Sequence, residues 1–109
     1  DGIVAMEGPG PGSGFPHPLG ILTCGTDVVA LDRVHCEIVG LPVEEFNIIQ
    51  AAREVGFGEV DLNQIEILGQ SLSDVTVPNF EFPLMIPVNF SPFRVVKSAL
   101  KHLWAKRVA

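Results

Sequence analysis

A chain of 109 residues and 11.7 kDa has the length of one domain built around one core. Hydrophobic residues make up 47% and charged residues 18%, against about 25% charged in an ordinary soluble domain, with a mean hydropathy of +0.36. That composition excludes intrinsic disorder, two cysteines exclude a disulfide-dense mini-protein, and a net charge of −6 argues against nucleic acid as a partner.

Residues 2–6 (GIVAM) form a short apolar run that predicts a buried strand with no partner upstream. Residues 8–18 (GPGPGSGFPHP) alternate Gly and Pro too densely for a helix or a ladder and predict an irregular loop. Residues 19–24 predict a second buried strand. The chain then turns at Gly25 into a helix with Thr26 or Asp27 as N-cap. Val28, Leu31, Val34, His35 and Ile38 make the apolar stripe of that helix, and Gly40 stops it.

Pro42 opens a second helix, with Glu44 and Glu45 in its first turn, where the helix dipole favours acids. Phe46, Ile48, Ile49 and Ala52 carry it to Val55, and Gly56 closes it. A loop or short turn over 58–63 leads to a predicted strand at 65–68, ended by Gly69. Residues 75–77 and 80–82 alternate as strands do, and prolines then punctuate an extended connector over 78–92. Ser91-Pro92 reads as N-cap and first helical residue of a C-terminal amphipathic helix over 93–107. Phe93, Val96, Leu100, Leu103 and Trp104 lie on its apolar face, and Arg94, Lys97 and Lys101 on the other.

The charge is unevenly placed. Residues 1–90 hold every acid and carry −11, whereas 91–109 carry +5. Docking of the last helix on the core, with its cations offsetting the acidic body, is preferred to membrane binding. No basic segment precedes an apolar run, so no secretory signal is read, and prolines break the longest uncharged stretch, 8–26. The expected location is the cytoplasm, where two free, buried thiols at Cys24 and Cys36 are preferred to a disulfide between them.

The glycine loop directly follows a strand, where a phosphate-cradling loop would sit. Gly8, Gly10, Gly12, Ser13 and Gly14 are the candidate ligand-binding residues, since glycines let backbone N–H groups approach an anion. No helix follows the loop, and Pro9 and Pro11 remove donors, so a dinucleotide fingerprint is not met. The competing reading is a tight crossing that needs glycine for steric reasons. Glu7, at the end of the first strand, is a candidate for acid–base work, joined by Asp27 and Asp32. Those two aspartates lie about 140° apart around a helix, so a joint site needs the loop folded over them. Plain readings stand beside these: Asp27 as a cap and Asp32 as a solvated carboxylate. His17 reads as a surface residue held between two prolines, His35 as a hydrogen-bonded core or interface residue, and His102 as part of the basic helix. No His/Cys cluster has the spacing of a metal site.

The string DGIVAMEGPGPGSG, then PLGILTCGTDVVALDRVHCEIVGL, then PVEEFNIIQAAREVGFGEVDLNQIEILGQ, resembles the C-terminal portion of the prokaryotic family called domain of unknown function 362. The residues that carry the resemblance are Glu7, Gly8, Gly10, Pro11 and Gly14, then Asp27, Ala30 and Asp32, then Gly40 and Pro42, and finally Ile65, Glu66 and Gly69. Family members commonly have a small residue where Cys24 stands, so no chemistry is built on it. Members are usually longer, and many carry ferredoxin-like four-cysteine motifs. The resemblance thus implies an iron–sulfur cluster in other parts of a longer protein and no cofactor within these residues.

The expectation is a single α/β domain over 1–109, with α+β as the alternative. It would comprise a small mixed sheet, two consecutive helices on one face and the C-terminal helix. The chain begins at Asp1, and the apolar excess points to the C-terminal part of a longer protein. Its expected partners are the N-terminal portion of its own chain and further copies of itself in a homo-oligomer. Two functions compete. One is an enzyme or an anion- or metal-binding domain, with its site at the glycine loop and its flanking carboxylates. The other is a non-catalytic assembly module for a redox partner or another subunit.

Overall fold

A computed structural model describes residues 1–84 and residue 97. Strand β1 (Ala5–Glu7) pairs antiparallel with strand β2 (Phe15–His17) in the register Ala5↔His17, Met6↔Pro16 and Glu7↔Phe15. The first strand therefore does have a partner, and the pairing corrects the irregular reading of 8–18. Pro16 is tolerated because a two-stranded ribbon has only edge strands. The sheet described here is this ribbon, smaller than the mixed sheet expected.

Residues 19–24 do not form the second strand. Gly20 turns to φ +68°, which breaks the extended run. Among the described residues, an isolated antiparallel bridge between Gly2 and Ile21 is what remains of it. Helix α1 (Val28–Val39) begins where the sequence places it, with Asp27 as its side-chain cap. It ends at Gly40, φ +72°, where the Gly40 N–H donates to the Glu37 carbonyl and the Leu41 N–H to the Cys36 carbonyl, a Schellman closure.

The second helix is interrupted. Pro42 leads into a 3-10 turn (Val43–Glu45), the chain becomes extended at Phe46, and α2 (Asn47–Val55) follows. Phe46 is drawn against the core, and Gln50 Nε2 donates to the Val43 carbonyl at 2.7 Å, tying turn to helix. Gly56 closes α2 at φ +65°, with the Phe57 N–H on the Ala52 carbonyl. A second 3-10 turn (Leu62–Gln64), capped by Asp61, occupies the expected loop.

The strands expected at 65–68, 75–77 and 80–82 are absent from the described ladder. Instead a short helix α3 (Leu72–Val75) starts after Ser71, and the Val77 N–H docks on the Ile38 carbonyl at 2.7 Å. That contact sets the 71–77 segment against the end of α1, and among the described residues 75–77 has no neighbouring strand. Residues 80–82 lie beside β1 through the Gly8 N–H and the Glu81 carbonyl (2.7 Å) without forming a ladder. The connector beyond residue 84 and the 93–107 helix lie outside the described residues, apart from Lys97, which is helical and exposed.

Val29 and Cys36 of α1 meet Ile49 and Ala52 of α2 in the core, with Leu41, Val43, Phe46 and Val60 packed around them. The α1 residues in this cluster, Val29 and Cys36, lie off the stripe read from the sequence, and Val28 and Ile48, expected on the apolar faces, are exposed. The strand-bearing ribbon contributes no residue to that cluster. Strands and helices together conform to the α/β or α+β class.

Candidate functional site

Glu7 and His17 sit on opposite strands of the ribbon, in diagonal register, and their side chains meet. His17 Nδ1 lies 2.8 Å from Glu7 Oε2, and both side chains are about a fifth to a quarter exposed. The same Oε2 accepts the backbone N–H of Glu81 at 3.1 Å. The Phe80 ring packs on the imidazole with centroids 5.4 Å apart. Glu7 is therefore engaged in fastening 80–82 to the ribbon. Sequence reasoning missed this pair because it treated 15–17 as loop. The pairing register is what brings the two residues together.

The glycine loop closes the ribbon over the Met6 side chain. A Cβ on Gly10 would meet Met6 Sδ at 2.6 Å, and one on Gly14 would meet Met6 Cγ at 2.5 Å. A side chain at either position would displace the half-exposed Met6 thioether, and one at Gly14 would also crowd the Glu7 carbonyl at 3.1 Å, which supplies a steric reason for these positions. The loop also uses its own donors: the Gly10 N–H goes to the Gly8 carbonyl (2.8 Å) and the Ser13 N–H to the Pro9 carbonyl (3.3 Å). With the Gly8 N–H on Glu81, three of the expected anion donors point at protein carbonyls. Gly12 has open space around it.

Asp27 Oδ1 accepts the N–H groups of Val29 (2.9 Å) and Ala30 (3.1 Å), while Oδ2 accepts that of Glu59 at 2.8 Å. The bonds from Ala30 and Glu59 hold its carboxyl below the ordinary value of 3.8, against an opposing desolvation and with help from Val29. Asp32 lies half-buried on α1 with no hydrogen-bonded partner among the described residues. The hydrogen bonds of Glu7 lead to 17 and 81, and those of Asp27 to 29, 30 and 59, so no bond joins the two carboxylates. His35 Nε2 and the Thr23 hydroxyl are 2.7 Å apart, which gives His35 the bonded role read from the sequence. His102 lies outside the described residues.

Beside Asp27 opens a cleft of about 570 Å³, walled by residues 22–27, by Ala30, Leu31 and Val34 of α1, and by residues 65–68. A shallower hollow of about 510 Å³ brings Arg33 and Arg53 near Glu37 and Asp61, and Arg33 is paired with Glu37 at 3.2 Å. Cys24 is exposed on the cleft wall, and Cys36 is buried in the core. Two cysteines cannot furnish the four thiolates of an ordinary iron–sulfur cluster, so this chain's donor set does not fit that group. Among the described residues no three His, Cys, Asp or Glu side chains are grouped to hold a metal ion, and no helix is long and apolar enough to cross a membrane.

Comparison with known proteins agrees with the resemblance seen in the sequence. Residues 1–37 match the model of the family described as Domain of unknown function (DUF362). Over 109 residues the chain is 31% identical to a thylakoid-associated protein of Synechocystis sp., a match that takes in 99% of this chain and 34% of that relative. The chain thus spans about a third of the length of the curated relative it matches. No solved structure matches the chain.

Proposed function

We propose that this chain, whose first 37 residues carry the DUF362 match, is a non-catalytic assembly module whose apolar surface is covered by another polypeptide. One observation carries the reading. Among the described residues six apolar side chains are buried, whereas thirteen large ones are exposed, including Leu22 at 78%, Val55 at 76%, Leu68 at 82% and Leu84 at 93%. Single exposed apolar residues are ordinary, but an excess over the buried core points to an interaction surface. The carboxylates proposed for chemistry support it too: Glu7 fastens 80–82, and Asp27 caps α1 and holds the 59 loop.

The partner in this reading is a further portion of the longer protein or a second copy of the chain. The iron–sulfur link implied by the family belongs, in this proposal, to that partner. The thylakoid association of the Synechocystis protein is compatible with a cytoplasmic module held on a larger assembly. Ligand binding at the glycine loop retains one supporting feature, the Glu7–His17 pair beside Gly8, which would orient an imidazole for proton transfer.

Light scattering and apolar-dye binding on the 109-residue chain test the proposal. Self-association or strong dye fluorescence in the folded state is expected. A strict monomer that binds no dye would overturn it. Phosphate or divalent cations that shift the amide resonances of 8–14 at stoichiometric concentration would turn the choice to the ligand-binding reading.

A further inference from the structure

The cleft beside Asp27 has walls that look like strands without a sheet. Residues 19–24 and 65–68 both carry the apolar pattern of buried strands, yet neither enters the described ladder. Ile21, Leu22, Thr23 and Cys24 alternate between half-buried and exposed, the period-two arrangement of an extended chain. Among the described residues, the backbone N–H and C=O groups of 22–25 and of 66–68 have no hydrogen-bonded partner. Two main-chain segments that are unpaired among the described residues therefore flank one cleft of about 570 Å³.

The side chains there offer little to a small polar ligand. Both oxygens of Asp27 are committed to backbone N–H groups, and the Thr23 hydroxyl is paired with His35. What remains, among the described residues, is unpaired main chain together with apolar surface from Leu22, Ile67 and Leu68. That combination is the recognition chemistry of strand addition, in which main-chain hydrogen bonds give affinity and alternate side chains give specificity.

We infer that the cleft takes an apolar extended strand, supplied by the polypeptide that lies outside the matched third of the longer relative. The Synechocystis protein aligns with this chain over 34% of its length, so two-thirds of it is available to provide such a segment. The inference rests on the assembly reading above and names the partner's chemistry: a main-chain edge with apolar side chains, inserted between 22–25 and 65–68.

The test mixes the 109-residue chain with overlapping synthetic peptides that tile the remainder of the Synechocystis relative, which need no fold of their own, and follows hydrogen exchange at single amides. Exchange at 22–25 and 66–68 is expected to slow at least tenfold on mixing. Ile67→Pro, which removes one main-chain donor on the wall outside the core, is expected to weaken binding at least tenfold. Ile67→Ala, which keeps that donor, should lose less.

Binding without protection of these amides overturns the strand inference and leaves the assembly reading standing. Absence of binding overturns the inference, while the light-scattering and dye result decides the assembly reading separately. Protection of both segments in the chain alone also overturns it, because the cleft is then closed from within this chain or by a second copy. Circular dichroism of Ile67→Pro, expected to match the parent, separates lost binding from lost folding.

Discussion

The carboxylate of Asp27 accepts the backbone N–H of Glu59 at 2.8 Å across 32 residues of chain, while its other oxygen caps α1. A single side chain thus starts the central helix and anchors the turn that follows α2. Gly58 makes the approach feasible: it takes φ +69° and brings the loop against Val29 and Asp27, where a side chain would not fit.

Splitting the two jobs of Asp27 is the first prediction. Asp27→Ser keeps one oxygen for the cap and cannot also reach Glu59, so its Tm should fall between those of the parent and Asp27→Ala. Thermal denaturation gives the order, with both drops amounting to degrees rather than loss of fold. Hydrogen exchange at the Glu59 amide should accelerate in both variants. Equal stability of Asp27→Ser and the parent would show that the Glu59 bond contributes nothing.

Acid should expose the same carboxylate. Its value in the folded chain lies below the ordinary 3.8 because backbone N–H groups of Ala30 and Glu59 stabilise the charge. The stabilisation is therefore complete above the unfolded value and is lost as pH falls through the folded one. The stability gap between parent and Asp27→Asn, measured by urea denaturation, should be constant at neutral pH and shrink below about pH 3.8. A gap that widens on acidification would contradict the assignment.

Gly58→Ala should be costly for two separate reasons. The residue sits at φ +69°, and an added Cβ would lie 2.6 Å from Val29 Cβ and 2.8 Å from Asp27 Oδ1. Overpacking of this kind destabilises by about 1–3 kcal/mol. Gly40→Ala, where nothing lies near the new Cβ, carries the backbone strain alone and should lose less in chemical denaturation.

The two thiols should react at different rates. Cys24 is exposed, whereas Cys36 is 2% exposed and its thiol is pushed above the ordinary 9.0, first by burial. Alkylation followed by mass spectrometry should label Cys24 in the folded chain and Cys36 only after denaturant is added. Simultaneous labelling would mean that α1 does not stay packed on α2.

Much of this was legible because it is local. Asp27 at the start of α1, and Gly40 and Gly56 at the helix ends, act over three to five residues, and such signals stand in the sequence. The helix over 72–75 had a local signal as well, Ser71 followed by Asp74, which the alternation of Val75 and Val77 obscured. The break at Phe46 was not legible, because it follows from where that ring packs rather than from any breaker residue.

The candidate site divides along the same line. By itself the sequence determined the helix frame, the glycine loop and the pool of carboxylates, all set by composition and near-neighbour geometry. Only the tertiary structure decided what they do: Met6 lies against Gly10 and Gly14 of the loop, Glu7 meets His17 across a ribbon, and Asp27 turns to Glu59. It also left 22–25 and 65–68 beside a cleft, without strand partners in the described ladder. An apolar run specifies that a segment can be a strand. Whether it becomes one depends on a second main chain arriving at hydrogen-bonding distance, and that is a property of the whole assembly.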